Sequence, residues 1–240
     1  MCTSQPAGFR FHRSRTLIPE MVDQVHELRP TNRSRTVLDL AVRLNMIELE
    51  RVVESAIRGE DPRRPHEWRP EVLSEIAAFV DAHPRHLGGR ALAHLLRRRP
   101  PDAFPTGSLA ETAMVQSARL GGFEEPVRQA RVLAPDTRGN MREHYLDALF
   151  ERLRIDVETD GSSHDDPRQR QSDLQRDRRL AGAIPVIRIT GAEAINHPNR
   201  IVELINDELR RRQSEGFGRV PRFARDLVRT GTSWTVQDRR

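Results

Sequence analysis

The sequence predicts an α/β fold: a mixed sheet flanked by helices and preceded by a mainly helical N-terminal region. Two observations predict it. Apolar residues recur at helical spacing from Val37 to Ile57, and beyond Pro105 short β-branched runs alternate with helical patterns, punctuated by Gly121-Gly122 and the loop from Gly161 to Pro167. At 240 residues the chain is long enough for one large domain or two small ones. The change of texture divides it into a mixed, helical region over 1–104, an α/β domain over 105–212 and a basic tail over 213–240.

Residues 7 to 32 are short and mixed, with no complete core. From Ser34, a good N-cap, the apolar set runs through Val37, Leu38, Leu40, Ala41, Leu44, Ile47, Leu49, Val52, Val53, Ala56 and Ile57 to Gly59, which reads as two short helices. A proline- and charge-rich linker, Glu60 to Pro70, leads to helical patterns over Pro70 to His83 and Gly89 to Arg98, ended by Pro100-Pro101. A further helix is expected from Ser108 to Leu120. Strands are expected at Val127 to Leu133, His144 to Arg152 and Leu153 to Thr159, the last two as a hairpin. An arginine-rich helix to Leu180, an apolar strand Ile184 to Thr190 and a helix Pro198 to Arg212 complete the sheet and its cover.

All 40 basic residues are arginine; there is no lysine. That excludes chemistry that needs an amine: a Schiff base, a phosphate-loop ATPase, a protein kinase. The single cysteine, Cys2, rules out an internal disulfide or a cysteine zinc site and fits a reducing cytoplasm. No apolar run reaches the roughly 20 residues of a membrane span, so the chain reads as soluble and cytoplasmic. Nine of the arginines lie in 210–240 against Glu215, Asp226 and Asp238, giving that stretch +6 of the net +5 and leaving −1 for the rest. Such a tail suits a phosphate backbone; a solvated or disordered end is the alternative.

The hairpin carries the chemistry. Strand side chains alternate, so Asp156, Glu158 and Asp160 share one face and Ile155, Val157 and Thr159 the other. On the neighbouring strand Tyr145, Asp147 and Leu149 share a face, bringing Asp147 to Glu158. Clustered carboxylates repel unless a cation joins them, and an all-oxygen set favours Mg²⁺ or Mn²⁺. The alternative is an acidic, solvent-facing edge hairpin.

The run Asp147, Glu158-Thr159-Asp160-Gly161, His164, Asp173, Arg178-Arg179-Leu180, Gly182 and Val186-Ile187-Arg188 resembles the very-short-patch-repair-like (Vsr-like) endonuclease domains of the PD-(D/E)XK nuclease superfamily. The match covers roughly Ser108 to Leu209. Upstream, His12 to Arg15 and Thr31 to Ala41 are similar to the middle of actinobacterial antitoxin-like proteins in which a winged helix comes first; the resemblance implies that this segment would precede residue 1, in a truncated chain or one with an unusual start. It implies a restriction-endonuclease-like fold and a metal-dependent DNA endonuclease, with Asp147, Glu158 and the Thr159 carbonyl holding Mg²⁺. Asp160 stands where the superfamily's lysine is usual. Its substitutes are a second metal held by Asp160, or His164 as proton donor. No proline precedes Asp147, where Tyr145-Leu146 stand.

The same resemblance makes Glu111 the helical glutamate that faces the metal, while Ser108-Leu109-Ala110-Glu111 also reads as a capping box. Arg176, Arg178 and Arg179 are candidates for DNA phosphates, or a solvated helix face. Arg188, flanked by Ile187 and Ile189, belongs near the site or paired with a carboxylate, Asp173 being the expected partner. A catalytically inactive DNA-binding or antitoxin-type regulator is the alternative, and the carboxylates argue against it, because a pure binder would present arginines to the backbone.

Overall fold

The computed structural model describes residues 14–58, 69–100, 103–135, 139–160, 184–214, 225–230 and 233–238. Its N-terminal part is a helical lobe with its own core. Helices α1 (Arg33–Leu40), α2 (Met46–Ile57), α3 (Pro70–Ala82) and α4 (Gly89–Arg98) enclose Leu38, Leu49, Val53, Ile57, Ile76 and Leu92. Asn32, rather than Ser34, caps α1: its side-chain oxygen accepts the Arg35 N–H at 2.9 Å. A reciprocal capping box of Asn45 and Glu48 opens α2, and Pro70 sits in the first turn of α3, where its missing N–H costs nothing. Between α3 and α4, Gly88 lies so close to α1 that a Cβ there would stand 2.3 Å from the Leu38 carbonyl oxygen. Gly88→Ala is therefore expected to lower stability by about 1–3 kcal/mol, read as a shifted urea midpoint; an unchanged midpoint would show that α1 and α4 separate freely.

The remainder is a six-stranded mixed sheet flanked by helices. Strands β1 (Val127–Pro135), β2 (Met141–Phe150), β3 (Ile155–Asp160), β4 (Val186–Thr190), β5 (Arg225–Thr230) and β6 (Ser233–Asp238) lie in the order β4-β3-β2-β1-β6-β5. The β1/β2, β2/β3 and β5/β6 pairs are antiparallel, while β3/β4 and β1/β6 are parallel. Helices α5 (Leu109–Leu120), α6 (Gly191–Asn196) and α7 (Asn199–Ser214) cover one face, where Met114, Val115 and Ala118 meet Ala148, Phe150, Ile155, Val157, Ile189, Ile201 and Ile205. The opposite face carries Ala130, Val132, Ala134, Leu146, Leu149, Ile184 and Trp234. The expected arginine-rich helix to Leu180 lies outside the described residues.

Two elements depart from the sequence reading. A short helix, α6, follows β4, opened by a capping box between Thr190 and Glu193. The stretch read as a basic tail contains the β5/β6 hairpin, and Trp234, only 2% exposed, fills the core beside β1. Its indole N–H donates to Glu151 at 3.2 Å.

The helical lobe meets the sheet through buried charge. Glu54 of α2 is 1% exposed; its Oε1 accepts Arg99 Nε at 3.0 Å and Arg128 Nη1 at 2.8 Å, and its Oε2 accepts the Thr106 N–H at 3.3 Å. Burial pushes this carboxyl up, but Arg128 and Arg99 outweigh that and hold it below the usual carboxylate range. Arg119 of α5 extends the network to Glu50 and Glu125.

Candidate active site

Three of the predicted site residues, Asp147, Glu158 and Arg188, lie along one row of the sheet. Glu158 of β3 and Arg188 of β4 are register partners. Leu149 pairs with Asp156 and Ala148 with Val157, so the same register carries Asp147 alongside Glu158. Arg128 pairs with Ala148 and Ala130 with Leu146, which sets Gln129 of β1 beside Asp147. The row therefore reads Gln129, Asp147, Glu158, Arg188 across four strands.

Strict alternation does not run through it. Ala148 and Phe150 pack with α5, yet Leu146 and Leu149 both lie in the opposite cluster, so β2 changes face at Asp147. The cause is visible next door: Gln129 adopts φ 50° in mid-strand, a left-handed conformation uncommon for a residue with a side chain. The expected common face of Tyr145, Asp147 and Leu149 is thus broken at its middle member. Asp147 Oδ2 accepts the Thr159 N–H at 3.1 Å, which pins the aspartate to β3 beyond the Ala148/Val157 pair.

Glu111 enters from the first turn of α5 and is 8% exposed. Ser108 Oγ accepts the Glu111 N–H at 3.0 Å, as a cap should. The carboxylate does not complete the expected box, however. It reaches past Ser108 and accepts the Gly107 N–H at 2.6 Å and Gln129 Nε2 at 3.3 Å. A Cβ at Gly107 would stand 2.7 Å from Glu111 Oε1, so glycine is what allows this approach. Burial and then the Asp147 charge push the Glu111 carboxyl up to about 7, against smaller opposing effects of its hydrogen bonds. Glu111 and Asp147 therefore share a field that favours a cation.

On β3 and β4, Arg188 bridges two carboxylates: Nη2 lies 3.0 Å from Glu158 Oε2 and Nη1 lies 2.9 Å from Asp160 Oδ1. Among the described residues Arg188 pairs with these two; the expected partner, Asp173, falls outside them. Asp173, His164, Arg176, Arg178 and Arg179 lie outside the described residues. Among those described, no three His, Cys, Asp or Glu side chains stand close enough to hold a metal. The donors nevertheless suit a hard cation: they are all oxygen, and the charge between Glu111 and Asp147 is unfavourable without one.

Sequence reasoning missed Gln129, because Val-Arg-Gln-Ala-Arg-Val reads as an ordinary strand and nothing marks a left-handed residue within it. No family model, curated protein or solved structure matches this chain. No described helix is long and apolar enough to cross a membrane.

Proposed function

We propose that the chain is a metal-dependent DNA endonuclease that hydrolyses phosphodiester bonds, working in the cytoplasm. The observation that supports this most directly is the row that brings Asp147, Glu158 and Arg188 together, with the buried Glu111 carboxyl pushed up by burial and by the Asp147 charge. Carboxyls perturbed by burial and a neighbouring like charge cluster at functional sites. Asp147 and Glu158 are the residues that would hold Mg²⁺ or Mn²⁺, with Asp160 as a further ligand and Glu111 facing them. Such an ion, when bound, polarises a phosphodiester oxygen and lowers the pKa of an attacking water.

The chain's own groups do the remaining work. The Thr159 amide fixes the rotamer of Asp147. Gly107 and Gln129 aim Glu111 inward. In this reading His164 protonates the leaving oxygen, and Arg176 and Arg179 hold DNA phosphates. A second reading, a DNA-binding or antitoxin-type regulator without turnover, is favoured by one observation: Arg188 already neutralises part of the acidic charge.

Supercoiled plasmid incubated with the protein in Mg²⁺ or Mn²⁺ separates the two. Nicking is expected, with Asp147→Ala and Glu158→Ala inactive and Asp160→Asn or His164→Ala reduced by about 10²-fold. Binding without nicking in either metal would favour the regulator. Full activity in the Asp160 and His164 variants would withdraw those two roles and leave a two-carboxylate site.

A further inference from the structure

We propose that Arg188 is the site's built-in counter-cation, and that a divalent ion must displace its guanidinium from Asp160 in order to bind. The inference rests on the metal-site reading above and names how metal binding there is regulated.

Three observations lead to it. The first is the fork itself, which spans two acids two residues apart on β3, with one nitrogen on each. A planar guanidinium does this with two nitrogens in a fixed fork, a geometry that an ammonium does not have. Secondly, the backbone that carries it is fixed. Ile187 and Ile189 on either side pack into the core beneath α5 and α7, and Arg188 is register-paired with Glu158, so the fork can leave only by turning its side chain. Finally, the two arms differ in burial. The Glu158 side chain is 6% exposed and that of Asp160 is 40% exposed. The buried arm resists opening because it would strand a charge away from water, whereas the exposed arm can be replaced by solvent.

The carboxylate oxygens that Arg188 holds are the ones a metal would take. As long as the fork is closed, Glu158 Oε2 and Asp160 Oδ1 are turned to the arginine. The same fork keeps the acids from repelling one another before metal arrives. Arg188 thus preforms the site and sets a threshold for loading it, in a chain that has no lysine to take that place.

The test is calorimetric titration of Mn²⁺ into metal-free wild type, Arg188→Gln and Arg188→Lys, with melting of each protein with and without Mn²⁺. Arg188→Gln is expected to melt lower without metal, to bind Mn²⁺ about tenfold more tightly than wild type, and to gain more in melting temperature from it. Arg188→Lys, which keeps the charge but loses the fork, is expected to fall between the two and guards against a glutamine variant that fails to fold. An arginine with a merely structural role would lower the metal-free melting temperature and leave the Mn²⁺ affinity unchanged or weaker; that result overturns the inference while the metal site stands. If wild type itself takes up no Mn²⁺, the metal-site reading fails, and the competition fails with it.

Discussion

Glu54→Ala is expected to cost about 3–5 kcal/mol of stability, the loss typical when one partner of a buried ion pair is removed. The side chains of Arg99 and Arg128 are 5% and 2% exposed, so both guanidinium groups would lose a buried counter-charge. The Thr106 amide would lose its acceptor as well. Arg99 keeps the carbonyls of Pro100 and Ala103, and Arg128 keeps Glu125, which is why the loss should not exceed this range. Urea unfolding of wild type and variant measures it. Glu203→Ala, which removes the surface pair with Arg200, is the control and should move stability by less than about 1 kcal/mol. A loss from Glu54→Ala no larger than the control's would show that the two lobes do not depend on this contact.

The second large effect is a pH dependence that Glu111 creates. Its carboxyl titrates at about 7 in the fold against roughly 4.3 when unfolded, so folding favours the neutral form. The stability this contributes is fully present below the unfolded value. It is lost as pH rises through about 7, where the ionised Glu111 must face Asp147 without solvent. At 1.36 kcal/mol per unit the whole window is worth roughly 3–4 kcal/mol. Glu111→Gln keeps an oxygen for the Gly107 amide and removes the charge. In EDTA its stability should therefore be flatter than wild type between pH 5 and pH 7.5, and should exceed wild type at pH 8. Parallel pH profiles for the two proteins would mean that Glu111 is not under this strain.

Much of the fold was legible because its signals are local. Helix α4 spans Gly89–Arg98, as the run of apolar positions between glycine and proline implies, and the β2/β3 hairpin brings Asp147 beside β3 as two tightly joined strands suggest, although alternation fails at Asp147 itself. Three features were not legible. The Glu54 network joins residues 45 and 74 positions apart, and no local pattern ties a charge on one helix to partners so distant. Gln129 disturbs the strand through its backbone, whereas propensity describes side chains. The hairpin of β5 and β6 was obscured by the arginines around it, although Gly231 between two β-branched runs was a usable signal. For the site, the sequence supplied the acids and set Arg188 near them or beside a carboxylate, but not its contacts with Glu158 and Asp160, which arise only once β3 and β4 are aligned in parallel.

That late hairpin also governs the order in which the molecule can be assembled. Strand β6 pairs with β1 through Arg131/Ser233 and Leu133/Thr235, about a hundred residues apart along the chain. During synthesis β1 and β2 can zip together early, but the outer edge of β1 stays open until the last strand emerges, several seconds later at ribosomal speeds of about 5–20 residues per second. An open edge with Val132 at its centre is an invitation to intermolecular pairing. Non-local parallel closure is also slow, so the step that seals β1 is where the nascent chain is most exposed to aggregation.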